Sequence, residues 1–205
     1  MLRDFRPWDA WEGVPVPAHP LLSALHQSSV AQRTRWTTIQ RGDRTEIDGV
    51  QLFVQHPPVP DWERQDVRND DSLVIELRWR EVSFVFTGDI GVEAEQMLAT
   101  DFGPARLRVV KVPHHGSATS SSDGFVRGLS PDAAVISAGR GNRFGHPAPS
   151  VVERYRAAGV EIFRTDRDGA VSIATDGGSL DVRTHAGRVV RIHPRARTPS
   201  ADTRR

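Results

Sequence analysis

The chain has 205 residues, 38% of them hydrophobic, no cysteine and a formal net charge of +1. That length carries one domain with a real core, or part of a larger one, and the composition excludes disulfides, thiolate metal sites, cysteine nucleophiles and a global basic field for nucleic acid. No run approaches the roughly 18 apolar residues of a membrane helix, and M-L-R-D-F-R-P-W-D lacks the apolar core of a signal peptide, so the segment reads as soluble, whatever it is attached to.

Residues 1–44 show little periodicity. W-E-G-V-P-V-P-A-H-P reads as extended, and Pro20 to Gln32 as a short helix carrying Leu21, Leu22, Leu25 and Val30. An opening this irregular suggests a chain cut from a longer one. From Thr45 the signal sharpens. Asp48-Gly49 between apolar flanks is a strong hairpin signal, and His56-Pro57-Pro58 ends the second strand. A polar loop around Trp62 follows, through Asn69-Asp70-Asp71. Ser72 to Trp79 then places Leu73, Ile75, Leu77 and Trp79 on one face at period two. Arg80-Glu81 turns the chain into V-S-F-V-F-T, so these strands are antiparallel.

Past Asp89 the pattern changes to alternation. Ile90, Ala94, Met97 and Leu98 define a helical stripe that Phe102-Gly103-Pro104 stops. L-R-V-V-K-V is a strand, S-S-S-D-G-F-V-R-G-L a short serine-capped helix, and A-A-V-I-S-A a strand covered on both faces. Ser150 with Glu153 reads as a capping box for a third helix with the stripe Val151, Val152, Tyr155 and Ala158, ended by Gly159. V-E-I-F-R, A-V-S-I-A and S-L-D-V-R follow as strands, with one more possible in R-V-V-R-I. Strands, then strand–helix alternation, then strands predict an α/β fold with mixed sheets. The domain is expected over residues 1–193, with a disordered basic tail over 194–205.

Chemistry concentrates at strand ends, where open α/β sheets place their sites. Asp89, after Thr87-Gly88, is either the N-cap of the following helix or a metal ligand. His114 and His115, between a proline and a glycine, cannot both enter the core from one strand, because side chains alternate. At least one faces the strand-end crevice, and with Asp89 on the neighbouring strand the group reads as a metal site. Without cysteine, such a site draws on His, Asp, Glu or Asn, donors that suit manganese, magnesium or catalytic zinc. Gly116 and S-A-T-S-S-S precede a helix N-terminus, a place where exposed N–H groups bind anions such as phosphate. G-R-G-N-R-F-G-H-P puts Arg140, Arg143 and His146 on the same rim. His19 and His56, beside prolines, read as structural. Asn69-Asp70-Asp71-Ser72 suits either a turn or a metal rim. A serine-hydrolase elbow, a P-loop and a dinucleotide fingerprint are all missing from the sequence.

T-G-D-I, K-V-P-H-H-G-S-A-T-S-S-S, N-R-F-G-H-P-A-P and F-R-T-D-R-D-G-A-V, with N-D-D-S-L-V-I-E-L and E-G-V-P-V-P upstream, resemble the metallo-β-lactamase-fold domain of DNA-internalisation competence proteins, the ComEC family. The resemblance covers most of Arg3 to about Thr184. It implies an αββα sandwich, one or two divalent metal ions (manganese or zinc) at strand ends, and hydrolysis of phosphodiester bonds in DNA. It also implies attachment to a membrane channel in the bacterial inner membrane. Under it, Asp89 is the metal-bridging aspartate, His114 or His115 a second-metal ligand, and His146 a further ligand or acid–base group. Ser117, Thr119 and Arg143 contact the phosphate, and Asn69 stands near where relatives place a metal histidine, on the substrate side. The fold's principal motif, H-x-H-x-D-H or H-x-D-x-D-H, occurs nowhere in the sequence. The chain therefore looks like the C-terminal two-thirds of that domain, incomplete at its N-terminus. Weak metal binding and little or no nuclease activity are expected of it alone, or a non-catalytic module that binds DNA or a partner.

Overall fold

The computed structural model describes residues 2–13, 20–59, 68–98 and 102–194. The Val14–Pro17 part of the resemblance, His19, the Trp62 loop and nearly all of the expected tail lie outside them.

The first unit contains two strands in residues 1–44, where the sequence shows little periodicity. After a one-turn helix α1 (Leu2–Phe5), β1 (Asp9–Glu12) pairs in parallel with β2 (Arg35–Thr38), joined by α2 (Pro20–Gln32). The strands were illegible because D-A-W-E and R-W-T-T carry no apolar alternation. The helix has the predicted bounds but not the predicted face: Leu21, Leu25 and Val30 are exposed, while Ser29 is buried and donates to the His26 carbonyl.

The main sheet has seven strands in sequential order: β3 (Arg44–Ile47), β4 (Val50–His56), β5 (Val74–Trp79), β6 (Val82–Phe86), β7 (Leu107–Lys111), β8 (Ala133–Ile136) and β9 (Glu161–Arg164). Neighbours from β3 to β6 are antiparallel and those from β6 to β9 parallel, so the α/β expectation with mixed pairing holds. Asp48 and Gly49, both at positive φ, form the expected hairpin turn. A second, antiparallel sheet of β10 (Val171–Thr175), β11 (Leu180–Thr184) and β12 (Val189–Ile192) completes the strands.

The parallel crossovers supply α3 (Val92–Leu98), α4 (Asp123–Leu129) and α5 (Pro149–Ala157); a further turn, α6 (Thr165–Asp168), follows β9. Alternation along the strands sorts the core into two layers. Val85, Val110, Val112, Ala134 and Ile136 face the helices and meet Leu98, Phe125, Leu129, Val151 and Tyr155. Val82, Leu107, Val109 and Ala133 face the three-stranded sheet and meet Leu180 and Val182. Helices, sheet, sheet is three of the four layers of an αββα sandwich; no second outer helical layer stands among the described residues.

Two local expectations change, and β5 holds a buried charge. On β5 the Ile75, Leu77 and Trp79 face is half-buried, while Val74 and Glu76 on the other face are fully buried. Glu76 enters the helical layer because its carboxylate is met there: it accepts from Ser83 at 2.7 Å, Gln55 at 2.9 Å and Arg78 at 2.7 Å, with Arg108 at 3.9 Å. At α5 the N-cap is Ala148, with Pro149 starting the helix, so Ser150 sits inside the first turn and makes no capping box. Met97 and Ala158 lie outside the buried stripes.

Candidate functional site

The carboxyl ends of the parallel strands β6 to β9 form one rim, and the N-terminal lead into antiparallel β5 reaches the same edge. Asp89 stands just past β6. Gly88 before it has φ +56, and a Cβ there would lie 2.6 Å from the Ser72 Cβ, so only glycine allows this approach. Asp89 is not the N-cap of α3. That place belongs to Asp70, whose carboxylate accepts from Gly91 N at 2.7 Å and Ala94 N at 3.4 Å. The Asp89 carboxylate is thereby left half-exposed on the rim.

His114 and His115 follow β7 in a turn over Pro113–Gly116. Both are left-handed, with φ of 46° and 55°. Two consecutive non-glycine residues in that region cost about 1–2 kcal/mol each, and the conformation turns both rings onto the rim. Gly116 continues at φ +81, closed in by Pro147: a Cβ would meet the Pro147 Cβ at 2.6 Å. The two rings have different surroundings. His115 Nδ1 lies 2.7 Å from the Ser137 carbonyl, which can only accept, so Nδ1 carries the proton. Nε2 then faces Asp89 Oδ2 at 3.5 Å. A neutral imidazole with its proton on Nδ1 sets the Nε2 lone pair toward a carboxylate oxygen there, a pair of donors that a cation between them would satisfy. His114 Nε2 instead lies 3.3 Å from the Asn69 amide nitrogen, which donates to it.

The sequence reading passed over Lys111. The sole lysine of an arginine-rich chain ends β7, donates to the Gly88 carbonyl at 2.8 Å and stands 3.5 Å from Asp89 Oδ1. Burial pushes its pKa down, and Asp89 opposes that. Its singularity was the available signal. It places a positive charge on the carboxylate that a metal would need.

His146 closes the rim from the loop after β8, its ring centroid 5.8 Å from that of His114. Burial, then the His114 and His115 charges, lower its pKa, with Asp89 opposing. The imidazole is therefore more fully neutral near pH 7 than a free one. Phe144 stacks on His146, and the Arg143 guanidinium lies over Phe144. Thr119 is exposed, whereas Ser117 is buried with its hydroxyl 3.0 Å from that of Thr119.

The expected anion site at the start of α4 is not open. Buried Glu95 accepts from Ser121 N and, at 2.7 Å, from Ser122 N; Ser122 Oγ takes Phe125 N. A carboxylate of the chain itself already holds two of the backbone donors that lead into this helix. His56, at the end of β4, is buried with Nδ1 on the Ser72 carbonyl at 3.1 Å, a structural placement.

Asp89, His114, His115, His146 and Asn69 are thus neighbours along one rim. Among the described residues, however, no three His, Cys, Asp or Glu side chains converge to hold a metal ion. Asp89 and His115 form a two-donor edge, and His114 Nε2 is taken by Asn69. These residues alone do not fit a complete one- or two-metal centre.

No protein-family model matches the chain. It is 35% identical over 133 residues to ComE operon protein 3 of Bacillus subtilis, covering 65% of this chain and 17% of that protein. It is 33% identical over 139 residues to competence protein ComA of Neisseria gonorrhoeae, covering 67% and 20%. It is 35% identical over 105 residues to recombination protein 2 of Haemophilus influenzae, covering 51% and 13%. The chain therefore spans at most a fifth of these relatives. Among solved structures it is similar to a Thermotoga maritima protein described as a Zn-dependent hydrolase of the metallo-β-lactamase superfamily, at 12% identity and a TM-score of 0.38 over 73% of this chain and 68% of that one. No helix among the described residues is long and apolar enough to cross a membrane.

Proposed function

We infer that this chain, homologous over about two-thirds of its length to a region of competence proteins, is the part of a metal-dependent phosphodiesterase that carries the metal centre's distal edge. The observation that carries the reading is the Asp89–His115 pair, 3.5 Å apart across the carboxyl ends of β6 and β7. It joins a carboxylate free of capping duty to an imidazole whose tautomer a backbone carbonyl fixes. Manganese or zinc bound there would supply an activated water for phosphodiester hydrolysis. The chain's own part is to orient those two donors, to neutralise Asp89 with Lys111 when no metal is bound, and to keep His146 beside the site as a neutral base. Asn69, Ser117, Thr119 and Arg143 mark the substrate side. A membrane channel, as in the resemblance, is the expected neighbour of this region.

The test is cleavage of labelled single-stranded DNA, RNA and a small phosphodiester by the purified chain with added manganese. Cleavage near background is expected, because two donors do not hold a metal centre. Robust manganese-dependent cleavage that Asp89→Ala abolishes would contradict that shortage. The same shortage favours a second reading, a non-catalytic module that binds DNA or a partner chain. DNA binding indifferent to metal and to Asp89→Ala would select it.

A further inference from the structure

We propose that Phe144 is a stacking platform for an unpaired nucleobase, so that the rim takes single-stranded nucleic acid in preference to duplex. The inference rests on the phosphodiesterase reading for the class of ligand and on the rim's geometry for the site.

Phe144 is 65% exposed, and its loop is nevertheless fixed. The Asn142 side chain donates to the Gly139 carbonyl at 2.8 Å and to the His146 carbonyl at 2.6 Å, and accepts from His146 N at 3.0 Å. An exposed aromatic ring on so closely tied a turn adds nothing to either core layer. It does extend a row of π systems that ends at the site. The Phe144 and His146 planes are 18° apart with centroids 5.8 Å apart, and His146 in turn contacts His114. On Phe144 the Arg143 guanidinium carbon lies 4.9 Å from the ring centroid. Arg143 is exposed, so a base can take its place on the ring while the guanidinium moves to the adjoining phosphate. Bases inside a duplex are paired and stacked and cannot present a face to the ring; unpaired bases can. The nucleotide so held lies two ring contacts from His114 and the Asp89–His115 edge, beside the phosphate the site would address.

The experiment measures binding of the purified chain, in chelator to prevent cleavage, to three fluorescent probes: an oligothymidylate, an abasic strand with the same number of phosphates, and a blunt duplex. The wild type is expected to favour the oligothymidylate. Phe144→Ala should weaken that binding about tenfold, to the level of the abasic strand, without changing abasic or duplex binding, and Phe144→Trp should retain it. Equal losses on base-bearing and abasic strands, or no loss, overturn the platform and leave the phosphodiesterase reading standing. A wild type that binds none of the three probes overturns both. Because Phe144 is exposed, the variants keep the fold, which an unchanged Tm verifies.

Discussion

The rim's polar residues differ in what burial asks of them, and His56 shows the consequence most simply. Its ring is buried at the end of β4, with Nε2 lacking a hydrogen-bond partner among the described residues. Burial lowers its pKa; the Ser72 carbonyl, Asp71 and Asp70 oppose this, and Arg41 adds to it. The unfolded chain, with an ordinary histidine near 6.5, therefore binds the proton more readily than the folded one. Stability is full above that value and falls as the pH drops from about 6.5 toward the depressed folded pKa. Thermal melts between about pH 7.5 and 5 should show this fall for the wild type and a shallower one for His56→Leu. Identical slopes would assign the titration to other groups. Residue by residue, the sequence was most legible where chemistry depends on type and place: Asp89, His114, His115 and His146 do share a rim. It was least legible where a partner decides the role. That Asp70 caps α3, that Asn69 engages His114 and that Glu95 fills the α4 donors all depend on contacts at least 21 positions apart in the chain.

Among the elements, β5 and β7 carry the least expected feature, a charged network under the helical layer. Glu76 and Arg108 are both buried. Arg108 donates to the Leu129 carbonyl at 2.6 Å and to the Gly103 carbonyl, tying β7 to the end of α4 and to the segment after α3. Without Arg108, Glu76 keeps Ser83, Gln55 and Arg78, but the Leu129 and Gly103 carbonyls lose a buried charged donor. Arg108→Met should therefore cost about 1–3 kcal/mol of unfolding free energy, while Arg106→Met, at the exposed pair with Glu81, should cost no more than about 1 kcal/mol. Urea titrations of the two variants make the comparison, and equal costs would show that the network is not under strain of this kind. Period two found the apolar face of β5 but not the burial of Glu76 opposite it, because the Gln55 and Ser83 groups that meet its carboxylate lie on other strands. In the parallel half buried Arg108 on β7 is a like exception, yet the apolar runs L-R-V-V-K-V and A-A-V-I-S-A still mark β7 and β8 to within two residues. The short strands β1 and β2, polar at alternate and adjacent positions alike, gave periodicity nothing to detect.

At the scale of the whole molecule, three layers bring four parallel strand ends to one edge, and that edge collects every rim residue. What it does not collect is a third metal donor among the described residues. Lys111 stands where it offsets Asp89 in the absence of an ion. The central claim is that Asp89 and His115 are one working edge of a metal site. Calorimetric titration of the purified chain with manganese and with zinc, beside Asp89→Ala and His115→Ala, tests it directly. One weak site in the wild type, lost in each variant, is the predicted result. Metal binding that survives both substitutions would contradict it.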